Sequence, residues 1–139
     1  MPERKFLRLV IDTNVFVSGC LHTTSISCQA VLRAEQDAVV LVSRGTLTEL
    51  AEVLGRPRLD KFVSAAHRMG IFRQILRSTT LIESPPPIRA CRDPKDDKFL
   101  EVAVSGRADA ILTWDRDLLD LHPFRGIAIL TPAHYLALK

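Results

Sequence analysis

Apolar and polar positions alternate along this chain in two rhythms. Leu7-Arg8-Leu9-Val10-Ile11, Ala38-Val39-Val40-Leu41-Val42-Ser43, Asp109-Ala110-Ile111-Leu112-Thr113 and Gly126-Ile127-Ala128-Ile129-Leu130 are short, nearly unbroken runs of branched residues. Runs of that length and character predict strands buried on both faces, as parallel sheets require. Thr79–Ile82 is a weaker strand candidate. Between the strands the spacing turns helical. Over 25–35, Ile26, Ala30 and Val31 face inward and Arg33 and Glu35 outward. Leu47, Leu50, Ala51, Val53 and Leu54 form one stripe, stopped by Gly55 and Pro57. Val15–Cys20, 58–62, 64–77, the stretch from Asp96 through Val104 and one turn at Leu118-Leu119 also read as helical, and Thr131 caps a last helix with Pro132 at its first position. The condensed order, β-α-β-α-α-α-β-α-β-α, calls for an α/β fold with a mainly parallel central sheet covered by helices on both faces.

Composition sets bounds on this picture. With 139 residues, 47% of them hydrophobic, the chain suffices for a single domain over 1–139 with one substantial core. Ser84-Pro85-Pro86-Pro87 is a rigid connector within it. No apolar run approaches a membrane span, and the N-terminus lacks the h-region of a signal peptide, so a cytoplasmic location without membrane attachment is expected. Cys20, Cys28 and Cys91 show no paired spacing and read as reduced core thiols.

Charge changes the picture most. The chain is basic, at net +3, yet eight of its sixteen acidic residues fall between Asp93 and Asp120. Carboxylates crowded in a small fold repel one another, so they either spread over a solvated surface or converge on a cation. Asp115 and Asp117 follow one strand, Asp96 and Asp97 open a helix, and Asp12 ends the first strand with Asn14 beside it. Carboxyl ends of strands are where open α/β sheets place their ligands. Local alternatives stand beside this: Asp12 suits a helix N-cap, and Thr46-Leu47-Thr48-Glu49 fits a capping box. Converging carboxylates suit Mg²⁺ or Mn²⁺, and the four histidines are scattered. From Arg56 to Arg77, six basic residues meet one acid, Asp60, which is either a solvated helical face or a surface for phosphates. Acid-held metal within a basic protein points to phosphodiester hydrolysis. No P-loop, dinucleotide fingerprint or nucleophile elbow is present.

Val10-Ile11-Asp12-Thr13-Asn14-Val15-Phe16, Thr46-Leu47-Thr48-Glu49-Leu50, Asp93-Pro94-Lys95-Asp96-Asp97-Lys98-Phe99-Leu100-Glu101 and Leu112-Thr113-Trp114-Asp115-Arg116-Asp117-Leu118-Leu119 together resemble a PIN domain, in the family's order and over nearly the whole chain. The tail Ile129–Leu136 is similar to prokaryotic PIN proteins described as VapC-like toxins of toxin–antitoxin systems. The resemblance implies a three-layer α/β/α fold and a Mg²⁺- or Mn²⁺-dependent endoribonuclease acting on single-stranded RNA. It also implies a cognate antitoxin and a homodimer. Carried over by position, Asp12, Glu49, Asp96 and Asp115 form the acidic quartet, Asp117 is an auxiliary metal ligand, and Asn14 and Thr113 are polar supports. Asp97 is the alternative to Asp96, and Asp93 orders the Pro94 turn. Trp114 stands where the family often has a small or polar residue and is either a packing residue or a platform for an unpaired base. Two rival functions remain: a PIN-type scaffold that binds RNA or protein without cutting, and a receiver-like phosphotransfer domain, for which no strand-end lysine can be placed.

Overall fold

The computed structural model describes residues 7–138. Five strands, β1 (Leu7–Ile11), β2 (Ala38–Val42), β3 (Thr79–Leu81), β4 (Ala110–Leu112) and β5 (Ala128–Leu130), form one sheet in the order β3-β2-β1-β4-β5. Every neighbouring pair is parallel. The sheet has one strand more than the condensed order allows.

Among the described residues, α1 (Thr13–Leu21), α2 (Ile26–Asp37), α3 (Arg44–Leu54), α4 (Ala65–Ser78), α5 (Asp97–Ser105) and α6 (Arg116–Leu119) carry the crossovers, and α7 (Pro132–Ala137) follows β5. The inner strands β1, β2 and β4 are almost wholly apolar because both faces are covered, whereas the edge strand β3 is Thr-Thr-Leu and largely exposed. On β1, Leu9 and Ile11 pack with Phe16 of α1, Ala30 and Ala34 of α2, Leu50 and Leu54 of α3 and Tyr135 of α7. Val10 points the other way, with Leu41 and Ile111, onto Phe99, Leu100 and Ala103 of α5 and Leu118 of α6. Each such side chain contributes roughly 1.5–3 kcal/mol by leaving water, so neither layer can be peeled away cheaply. Among the described residues no single helix is long and apolar enough to cross a membrane.

Three local readings change. The segment 58–62 is a 3-10 turn over Pro57–Lys61 rather than an α-helix. Strand β5 starts at Ala128, not Gly126, because Arg125 (φ 49°) and Gly126 (φ 81°) make the turn before it. Helix α3 begins at Arg44, and its capping box is formed by Ser43 and Thr46. Glu49 therefore lies in mid-helix and caps nothing.

The sheet runs outward from β1 in both directions, to β2 and β3 on one side and β4 and β5 on the other. The crevice at such a reversal opens beyond the carboxyl ends of β1 and β4. Asp12 and Thr113 immediately follow those two ends.

Candidate active site

Asp12 sits between the two central strands, its amide donating to the Leu112 carbonyl at 2.9 Å. Asp12 is the N-cap residue of α1 by position, but its side chain makes no capping hydrogen bond of ordinary geometry. Its Oδ2 instead accepts from the Thr113 hydroxyl at 2.7 Å. Thr113 is fully buried, and its Oγ1 also accepts the Asp115 amide at 2.9 Å. One threonine thus fixes two candidate acids, because a hydroxyl can donate and accept at once.

Four acids share one field. Burial raises the pKa of Asp12, and the charges of Glu49 and Asp115 add to the effect, against the Thr113 hydrogen bond and the Asn14 amide, which lower it. Asp96 ends a 3-10 turn at Pro94–Asp96. Its pKa is pushed up to about 7, first by burial, then by the facing Asp115 carboxyl, then by the charges of Asp12 and Asp93. The buried Asp96 Oδ2 has no hydrogen-bond partner. A buried carboxyl oxygen without a partner is costly and rare in folded proteins, and it is a donor of the kind a hard cation takes.

Glu49 reaches this group from α3. Its Oε2 accepts from the Thr13 hydroxyl, and its Oε1 accepts from Lys98 Nζ at 2.8 Å. Lys98 also donates to the Lys95 carbonyl. Asp117 is turned elsewhere: Arg92 lies 3.3 Å from its Oδ1 and 3.7 Å from Asp120 Oδ2. The Asp117 amide supports Asp115, donating to its Oδ1 at 2.9 Å.

The remaining acids of the dense stretch are structural. Asp97 Oδ1 accepts from the amides of Ala90 (3.0 Å) and Cys91 (2.7 Å); these bonds hold its carboxyl below the ordinary value despite its burial. Glu101 accepts from the Ile88 amide at 3.0 Å, and Asp93 closes its turn on the Lys95 amide. Asp109 accepts from the Arg8 amide at 2.8 Å. The acidic stretch therefore divides, with Asp96 and Asp115 turned to the crevice and the others holding chain segments or ion-paired.

Oxygen donors alone, one of them buried and unpartnered, suit a divalent cation. As they stand, however, no three His, Cys, Asp or Glu side chains among the described residues are gathered closely enough to hold one. Closing the set requires side-chain movement, and Glu49 is held by Lys98.

Asp12, Glu49 and Asp96 line a groove of about 840 Å³ together with Arg56, Arg58 and Phe62. Of the basic run beside it, Arg68 is no surface residue: it is 1% exposed, and its guanidinium bonds the carbonyls of Leu54, Val63 and Arg56 and the Asp60 carboxylate. The ring of Trp114 is 45% exposed, and its indole N–H donates to Ser27 Oγ at 2.9 Å. Lys98 and Thr13 were invisible as site residues in the sequence, since their partner lies 49 and 36 positions away.

Known proteins resemble this chain in sequence and in fold. Residues 8–117 match the family model described as PIN domain. The uncharacterized protein MJ1680 of Methanocaldococcus jannaschii is 31% identical over 121 residues, which cover 86% of this chain and 77% of that protein. Among solved structures, PAE2754 from Pyrobaculum aerophilum superposes with a TM-score of 0.61 at 18% identity, covering 94% of this chain and 88% of its own. VapBC2 from Rickettsia felis, bound to a DNA fragment from its promoter, gives 0.60 at 10% identity, over 88% and 97%. DNA-bound VapBC from Salmonella typhimurium gives 0.59 at 14% identity, over 91% and 99%. At these identities the structural likeness is one of fold.

Proposed function

Because the chain belongs to the PIN-domain family, we propose that it is a metal-dependent endoribonuclease that hydrolyses phosphodiester bonds of single-stranded RNA. The observation that carries this reading is the shared field of Asp12, Glu49, Asp96 and Asp115 at the switch point of the sheet. These four would hold Mg²⁺ or Mn²⁺, with Asp117 as an auxiliary ligand once released from Arg92. A bound ion of this kind lowers the pKa of water and neutralises charge on the phosphoryl oxygens. Thr113 keeps Asp12 and Asp115 in register, and Asn14 offers an exposed amide beside them. A water oxygen forms the new bond to phosphorus, the bond to the leaving ribose oxygen breaks, and the water's proton ends on that oxygen or in solvent.

We further propose a cytoplasmic toxin that pairs with itself and with an antitoxin protein, on the likeness in fold to the VapBC assemblies. A second reading has its own support. With Glu49 engaged by Lys98 and no three acids gathered among the described residues, a PIN scaffold that binds RNA without cutting it is consistent with the same geometry.

One experiment separates the two: incubation of a mixed single-stranded RNA pool with Mn²⁺ or Mg²⁺, parent beside Asp96→Asn. Cutting that needs metal and vanishes in the variant supports the nuclease. Binding by both proteins with cutting by neither gives the scaffold reading the lead.

A further inference from the structure

The segment Arg56–Phe62 is built more carefully than a surface turn needs. Arg56, Arg58 and Lys61 all line the same groove as the acids, all are exposed, and none has a carboxylate partner among the described residues. Phe62, at the same end, leaves 58% of its surface in water, and the Lys61 ammonium sits 5.3 Å from its ring centroid. Beneath them lies Arg68. Its guanidinium ties the end of α3 (Leu54) to the start, middle and far side of the turn (Arg56, Asp60, Val63). Taking an arginine out of water is expensive, and a buried charge of this kind is weak evidence for stability as such. What it secures is geometry: the backbone that carries the exposed cations and the ring is tied to the end of α3.

Three unpaired cations in a row with an exposed aromatic ring are the parts of a single-strand platform, in which cations follow phosphates and rings stack on unpaired bases. The same groove is lined by acids, Asp12, Glu49 and Asp96 among them, and by Arg56, Arg58 and Lys61, with Lys98 already paired to Glu49. A polyanion held by Arg56, Arg58 and Lys61 would lie in the groove that Asp12, Glu49 and Asp96 also line.

We propose that Arg56–Phe62, clamped by Arg68, is the binding platform for the part of a single-stranded RNA that extends from the cleavage site, with Arg56, Arg58 and Lys61 on its phosphates and Phe62 under one of its bases. This rests on the nuclease reading for the identity of the strand, but its test does not require cleavage.

The probe is a labelled, unstructured oligouridine, titrated by fluorescence anisotropy into the Asp96→Asn chain across a range of salt. Replacing Arg56, Arg58 and Lys61 together by Gln is expected to flatten the slope of log affinity against log salt by about two, at roughly 0.7 for each phosphate no longer neutralised. Phe62→Ala is expected to weaken binding about tenfold and Phe62→Trp to restore it, as stacking predicts. Arg68→Met, checked by circular dichroism to be folded, should reproduce part of both losses, because it frees the turn without touching RNA. An unchanged slope in the triple variant overturns the platform. So does a Phe62→Ala chain that binds like its parent, or a polyglutamate peptide that binds the same residues more tightly than RNA and marks the groove as a site for an acidic peptide. Failure of the parent chain to cut RNA is a separate result, against the nuclease reading alone.

Discussion

Lys98 Nζ lies 2.8 Å from Glu49 Oε1, joining α5 to α3 across the mouth of the acidic site. Both side chains are about three-quarters covered, at 26% and 29% exposed. The ammonium therefore already neutralises one of the four acids, and an incoming cation must compete with it. Lys98→Met is expected to tighten Mn²⁺ binding several-fold in calorimetry while changing stability by less than about 1 kcal/mol. Weaker Mn²⁺ binding in the variant would show instead that Lys98 orients Glu49 for the ion.

Asp96 sets a pH dependence whose sign can be worked out. Its pKa is about 7 in the folded chain against an ordinary 3.8, so between those values the folded protein holds a proton that the unfolded chain has released. The contribution of Asp96 to stability is then fullest near and below pH 4, falls as pH rises, and levels off above about 7. Burial pushes Asp12 in the same direction. Thermal melts from about pH 5 to about pH 8 should show the loss in the parent and a smaller one in Asp96→Asn. Because metal must displace that proton, Mn²⁺ affinity should rise over the same range. A flat affinity profile would remove Asp96 from the ligand set.

Thr113→Val keeps the shape of the side chain and deletes its hydroxyl. The buried Asp12 Oδ2 and the Asp115 amide each lose a partner, at a cost of about 1–3 kcal/mol in urea unfolding. The Thr113 bond is also what most lowers the Asp12 pKa, so its loss should raise that pKa further and weaken Mn²⁺ binding at neutral pH. Unfolding and Mn²⁺ titrations that match the parent would mean that the bond does not organise the site.

Arg68→Met should destabilise the fold by about 3 kcal/mol, because charge-assisted bonds to buried carbonyls are lost together. Asp60, at 60% exposed, returns to water and adds little. Urea unfolding measures the loss, and an effect below about 0.5 kcal/mol would show that the clamp is dispensable.

Much of the fold was legible because a parallel sheet covered on both faces leaves unmistakable apolar runs, and β1, β2 and β4 appear where those runs stand. Edges were less clear. The strand at the end of the chain is shortened by the turn at Arg125-Gly126, which apolarity does not reveal. In the acidic stretch, spacing could not separate Asp96 from Asp97. What distinguishes them is a pair of amides, from Ala90 and Cys91, that reach Asp97 alone. Glu49 matched a capping box that the helix does not use, since α3 starts at Arg44, before the residue that box would need as its cap. Arg68 looked like its basic neighbours because nothing in a charge pattern shows which arginine faces the end of another helix.

Strand β1 is the hub of the sheet, yet its partner β4 and the threonine that steadies Asp12 lie about a hundred positions downstream. Contacts that distant form late, since a long loop must close before they reward the chain. On the ribosome, Asp12 emerges about a hundred positions ahead of Thr113 and Asp115. A nascent chain that has not yet released residues 110–115 cannot gather its acids.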